Sequence, residues 1–340
     1  MSDITIADIL ARCEPGPMQS VGNVQIIPLI TDLVDNDISA PTNVMSSTSN
    51  YGTLNLKNVN ESTTIFPSCA GIITKQHAQN HALGKAKILP KDKVVVSDDA
   101  ACIQETQGGV IRSGNHRMTI LPWWIRETAI ARRKEKEYGK LWPAITDFNK
   151  QLGIRTRGHL GHYLKDYKDQ LDEFIGHFEL VPNQVGAIIL INGTIYGVEV
   201  APNYEYWNSI WEPLIRECYG SMALQNAKKQ GADAPPPKTR VPLRTASIKS
   251  ADDILKAVQV AKEEEEKMVK HVVKTFINKK FKRSTDERKA KMEVETIENE
   301  QLSGQIAWHD GKIVYTSLVS NQKWVTSDSA EWSNRPKFKI

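Results

Sequence analysis

Residues 184–219 read QVGAIILINGTIYGVEVAPNYEYWNSIWEPLIRECY, and the remaining elements can be placed around them. The run AIILI is apolar without alternation, the pattern of a strand buried on both faces. Asn192-Gly193 supplies the two left-handed residues of a type I′ turn, and TIYGVEV returns as a second strand. Pro202 and Asn203 end that strand. Tyr206, Trp207, Ile210, Trp211, Leu214, Ile215 and Cys218 then recur at helical spacing, so a Trp-rich helix is expected to lay its apolar stripe across the hairpin.

On the N-terminal side, ITIADILAR (4–12) reads as one short helix ended by Pro15 and Pro17, within an N-terminal arm of residues 1–20. VQIIPLI (24–30) is the first strand, and a polar loop is expected over 35–50. From Thr53 to Val110 short β-rich runs cut by Asn, Pro and Gly argue for an antiparallel sheet or sandwich. After Pro122 the composition turns helical, with a break near Gly139, a restart at Pro143 and a second helix from about Leu160 to Phe178.

Beyond the central stretch, the prolines of QGADAPPPK (230–238) mark a stiff linker. A long helix is expected over 250–280, capped by Ser250 and closed by Lys279, Lys280, Lys282 and Arg283, which suit its C-terminal dipole. KMEVETIE is a strand, and QIAWHDGKIVYTSLV a second hairpin turning at Asp310-Gly311. The expected fold is α+β, an antiparallel β-rich core with helical insertions and two hairpins. Residues 21–320 form one domain containing the Pro-rich linker (230–240), and residues 321–340 are a polar tail.

The 340 residues are 40% apolar and 25% charged, an ordinary globular composition. No apolar run approaches the roughly 20 residues that cross a bilayer, and MSDITIADILARC lacks a basic segment followed by an apolar core. A cytoplasmic protein without membrane partners is expected. Cys13, Cys69, Cys102 and Cys218 form no CxxC pair and read as reduced thiols. The net charge of +4, from 44 basic and 40 acidic residues, does not indicate nucleic acid.

No phosphate loop, dinucleotide fingerprint or nucleophile elbow is present, and no cofactor is expected. His77 with His81, and His159 with His162, have spacings that could begin a metal site, but neither has a third ligand at a recognisable distance. Two basic clusters, Arg126 with Arg132, Arg133, Lys134, Lys136 and Lys140, and Lys279–Arg283 with Arg288, Lys289 and Lys291, are interleaved with acids as solvated helix faces are. The candidate ligand site is Lys75, Gln76 and Asn80, between two β-rich runs, with Gln104 and Glu105 at the end of the next strand. Such side chains could hold a polar ligand, but with no titrating nucleophile among them the satisfaction of buried backbone groups across a sheet is the favoured reading.

Several blocks in this order resemble one family, the ARPP domain, named for ARG and rhodanese-phosphatase-superfamily-associated proteins. They are Lys75-Gln76-x-x-x-Asn80, Cys102-Ile103-Gln104-Glu105, WWIRETAIARR, LWPAITDF, and QVGAIILINGTIYGVEV with its downstream helix ending CYGSMAL; the resemblance spans about residues 20–320. Gln104 stands where the pattern has an acid, Glu105 is displaced by one, and Gln107-Gly108-Gly109 replaces an Arg-Trp pair. The resemblance implies an accessory protein associated with ADP-ribose- and NAD-linked enzymes, including in bacteriophages.

Three readings follow. The first is a non-catalytic binding protein for an ADP-ribose or NAD-type ligand, or for a partner protein. The second is a structural homo-oligomer such as a phage virion component. The third is an enzyme on an ADP-ribosyl or nucleotide substrate, with Glu105 as acid or base and Lys75 stabilising charge.

Overall fold

The structure, a computed structural model, describes residues 4–74, 78–106, 108–230, 279–289 and 291–325, and also 250, 252, 255, 256, 259, 260, 263, 266, 267 and 270. The chain opens with β1 (Ile4–Thr5), α1 (Ile6–Leu10), β2 (Glu14–Pro15), β3 (Gln19–Val21) and β4 (Val24–Ile30). Short strands follow: β5 (Ile38–Ser39), β6 (Val44–Asn50), β7 (Thr53–Asn58), β8 (Thr63–Phe66), β9 (Ala70–Ile73) and β10 (His81–Ala82). After them come β11 (Lys87–Leu89), β12 (Val94–Ser97), β13 (Ala101–Cys102), β14 (Gly114–Asn115) and β15 (Arg117–Ile120). Helices α2 (Trp123–Ala131), α3 (Trp142–Gln151), α4 (Gly161–Asp166) and α5 (Lys168–Ile175) lead to β16 (Gln184–Ile191) and β17 (Thr194–Val200). Next are α6 (Tyr204–Trp211), a π-helix (Glu212–Tyr219) and α7 (Gly220–Gln230). β18 (Lys280–Lys289), β19 (Met292–Glu298), β20 (Leu302–His309) and β21 (Lys312–Ser320) complete the order.

One ten-stranded sheet runs β1-β18-β19-β20-β21-β17-β16-β4-β2, with β3 also on β4. Its pairings are antiparallel. Three smaller sheets gather the strands between β5 and β15, and β5 pairs with β8 in parallel. β16 lies between β4 and β17, and all eight of its residues are buried. Its run does not alternate because there is a core on each side. Ala187, Ile189 and Ile191 face one cluster with Trp123, Tyr206 and Trp207, while Ile188 and Leu190 face another with Ile6 and Ile9 of α1. Each such burial of a large aliphatic side chain contributes about 1.5–3 kcal/mol.

Both hairpins turn on an Asx-Gly pair with positive φ, 51° and 80° at Asn192-Gly193 and 46° and 76° at Asp310-Gly311. β21 pairs with β17, so the two hairpins are neighbours in one sheet. The helical region breaks between α2 and α3, with Pro143 in the first turn of α3, and the following helix is divided at Tyr167.

Three stretches differ from their sequence reading. Lys280–Lys289 is strand β18 rather than the end of a helix. Its charges pair across the ladder, Arg283 with Glu295 at 2.8 Å and Arg288 with Glu293 at 2.8 Å, instead of along a helix face. Of 250–270, the residues described beyond Ser250 are helical. Residues 4–20, read as part of an arm, are built into the sheet, because Ile4, Ile6 and Ile9 are apolar enough to be buried and Thr5 and Asp8 form a capping box. The expected loop 35–50 contains β6, paired with β7. Residues 231–240 of the linker and 326–340 of the tail lie outside the described residues, whereas Val325 is buried.

Candidate functional site

The structure brings Asn80 and Gln104 together. Gln104 Oε1 accepts from the Asn80 backbone N–H at 3.4 Å, and Asn80 Oδ1 accepts from the Thr74 N–H at 2.9 Å. Cys102 Sγ donates to the Gln104 carbonyl at 2.9 Å. Glu105 belongs to a different contact: its N–H donates to the Gly158 carbonyl at 3.0 Å and its carboxylate lies 3.6 Å from Arg157. Lys75, Gln76 and His77 lie outside the described residues. The described members of this set therefore brace one loop against the next through backbone groups. His81 is buried, its Nδ1 beside the Gln79 carbonyl at 2.9 Å, and burial lowers its pKa. His159 and His162 stack edge to face, and burial followed by His162 lowers the pKa of His159.

A second polar centre was hidden in the first basic cluster. Arg126 is fully buried, not solvated. Its Nη1 meets Glu199 Oε1 of β17 at 2.6 Å and Tyr219 Oη of the π-helix at 3.3 Å, and its Nη2 meets Ser317 Oγ of β21 at 2.6 Å. Tyr219 in turn donates to Glu199 at 2.7 Å. The wider π turn buries six successive residues, Leu214 to Tyr219. Gly197 makes room for this packing, since a Cβ there would stand 1.8 Å from Tyr219 Oη. Cys69 and Cys218 adjoin the centre, but burial raises both pKa values, that of Cys218 to about 12. Thiols held protonated are poor nucleophiles. Lys140, in the same cluster, is also buried, where it donates to the Asp99 carbonyl at 2.8 Å.

Open space lies elsewhere. A groove of about 990 Å³ runs between α1, loop 32–37 and the β20–β21 hairpin. Its wall carries Asp8, Asp32, Asp35, Asp37 and Asp310 against Arg12 and Lys312, with Trp308 and His309. Asp35 is held from several sides. Its N–H donates to the Pro202 carbonyl at 3.1 Å, its carbonyl accepts from Asn203 Nδ2 at 2.9 Å, and Oδ1 accepts from the Asp37 N–H at 3.0 Å. Its Oδ2 lies 2.6 Å from His309 Nδ1. The side chains of Asp35 and His309 remain 17% and 13% exposed, so the pair faces the groove rather than the core. Arg12 donates to the carbonyls of Ala201 and Val314, while its Nε is buried without a partner among the described residues. Burial lowers the Arg12 pKa, opposed by the fields of Cys13 and Asp35.

Sequence spacing could not find this set, because 272 positions separate Asp37 from His309. Its traces were the polar segment after β4 and the Asp-Gly turn beside a histidine. Among the described residues no helix is long and apolar enough to cross a membrane. Comparison with curated proteins and with solved structures gives no match to either. A family model, described as the ARG and Rhodanese-Phosphatase-superfamily-associated Protein domain, matches residues 12–319, from Arg12 of the groove through both hairpins. The chain belongs to that ARPP family.

Proposed function

We propose that this chain is a non-catalytic binding protein that takes a positively charged ligand in the groove between α1, loop 32–37 and the β20–β21 hairpin. The observation that carries the reading is the charge of the wall, five carboxylates against Arg12 and Lys312 around about 990 Å³. Such a concavity focuses an attractive field on cations. A free ADP-ribose or NAD-type ligand would bring two phosphates against those carboxylates, so an anionic nucleotide needs a bridging cation here. Trp308 lies in the wall and supplies a fluorescent reporter. Titration with spermidine at low salt is expected to change tryptophan emission saturably, and Asp32→Lys with Asp310→Asn to weaken binding at least tenfold. Absence of a response at millimolar spermidine, with or without ADP-ribose, counts against the reading.

A specific observation favours homo-oligomerisation as a second reading. Strand β12 ends its sheet, and Val94 and Val96 on it are 57% and 60% exposed. Open edges with apolar side chains invite pairing with another chain. Light scattering should then give a mass above one chain, reduced by Val94→Lys with Val96→Lys; a monomer at tens of micromolar sets this reading aside.

A further inference from the structure

We infer that the groove holds a divalent transition-metal ion on Asp35, Asp37 and His309, an inference that rests on reading the groove as a cation site. Each of these residues offers a ligand atom, and those atoms lie within 4.8 Å of one another. Trans donors of a manganese-to-zinc ion, with bonds of about 2.0–2.2 Å, stand about 4.0–4.4 Å apart, a span comparable with this set, and an ion there would replace the proton shared by Asp35 Oδ2 and His309 Nδ1 at 2.6 Å. The set is two carboxylates and one imidazole. Nitrogen among the donors favours the manganese-to-zinc class over calcium or magnesium, which prefer oxygen alone.

The donors sit on ordered supports. His309 ends β20 immediately before the Asp310-Gly311 turn, and Asp35 is fixed through both its backbone N–H and its carbonyl. The His309 and Asp35 side chains are partly buried at the groove wall, while Asp37 is exposed. Three protein ligands leave coordination positions open. An ion held there would have positions left for a phosphate or carboxylate oxygen of a ligand in the groove, against an otherwise repulsive wall. Asp32, Asp310 and Asp8 lie outside the three-ligand set and supply the surrounding negative field.

The test is Co²⁺ added to the full, metal-stripped chain, read by visible absorption and equilibrium dialysis. One bound Co²⁺ per chain with d–d bands is expected. Asp37→Asn, an exposed position where folding is undisturbed, should weaken Co²⁺ at least tenfold, and His309→Ala should also change the bands. Asp32→Lys, which removes part of the wall's field without removing a ligand, should weaken Co²⁺ binding while leaving the position of the bands unchanged. Spermidine binding without any Co²⁺ signature overturns the metal site but leaves the groove reading standing; loss of both overturns both. Co²⁺ bound equally well by Asp37→Asn and His309→Ala places the ion elsewhere and also refutes the assignment, making Asp35 and His309 an ordinary ion pair.

Discussion

Two of the charged clusters among the described residues are built on opposite plans. Around Arg126 one guanidinium faces one carboxylate, Glu199, with the hydroxyls of Tyr219 and Ser317 and the Cys218 thiol beside it, all inside the core. Around Asp35 the carboxylates outnumber the cations and the cluster opens on a groove. Burial tolerates charge only where it is matched, because an unpaired ion loses several kcal/mol of hydration. An excess of one sign can persist only beside solvent or a ligand. The first cluster therefore fastens α2, β17, the π-helix and β21 together, and the second is the place where something can bind.

Breaking the matched cluster should have the largest effect. Arg126→Met leaves Glu199 buried without its partner and is expected to lower stability by about 3–5 kcal/mol in urea unfolding. A change near 0.5 kcal/mol would mean that water reaches Glu199. Gly197→Ala drives a Cβ into Tyr219 Oη and should cost about 2–3 kcal/mol. Because Tyr219→Phe touches the same contact, the double variant should lose less than the sum of the singles, and strict additivity would contradict that geometry.

The interface between β18 and the end of α2 sharpens the comparison through pH. Burial opposes ionisation of Asp286, but bonds from Thr296, Lys134 and Gln305 with the field of Arg133 hold its carboxyl below the ordinary value. A depressed folded pKa adds stability above the unfolded value, 3.8, that is lost as pH falls through the folded one. Asp286→Asn should thus cost about 1–3 kcal/mol at pH 7 by loss of charge-assisted bonds. Its deficit should shrink below about pH 4; a deficit independent of pH would remove this account. The smallest change is expected at the groove. Asp37→Asn, exposed and outside the core, should alter stability by under about 0.5 kcal/mol while weakening cation binding.

The chain exposes clearly which parts of this plan are local. The hairpins were legible because Asn192-Gly193 and Asp310-Gly311 need only their own φ preferences, and β16 because two-sided burial removes alternation. Arg126 carried a faint signal, since Trp123 at i−3 and Ile130 at i+4 place it on the buried face of α2, but the charges that follow masked it. β18 was illegible: KFKRSTDERK has no apolar period, and its ion pairs form only when β19 lies beside it. The π-helix has no signature in EPLIRECY. Asn80, Gln104 and Glu105 carried the right polarity for a ligand, but the folded chain turns Asn80 and Gln104 toward neighbouring backbone. The groove combines residues from both ends of the chain, brought together because α1 packs on β21 and Asp35 bonds to Pro202 and Asn203 just after β17, the neighbour of β21.

The contrast between matched and unmatched charge is tested most directly by calorimetric unfolding of the full chain with increasing Mn²⁺ or spermidine. A ligand selective for the folded state adds about 2.7 kcal/mol at one hundred times its Kd. The unfolding midpoint of the unaltered chain should therefore rise by several degrees, and that of Asp32→Lys with Asp37→Asn should stay nearly fixed. Equal midpoints for the unaltered chain with and without saturating cation would contradict the groove as a binding site.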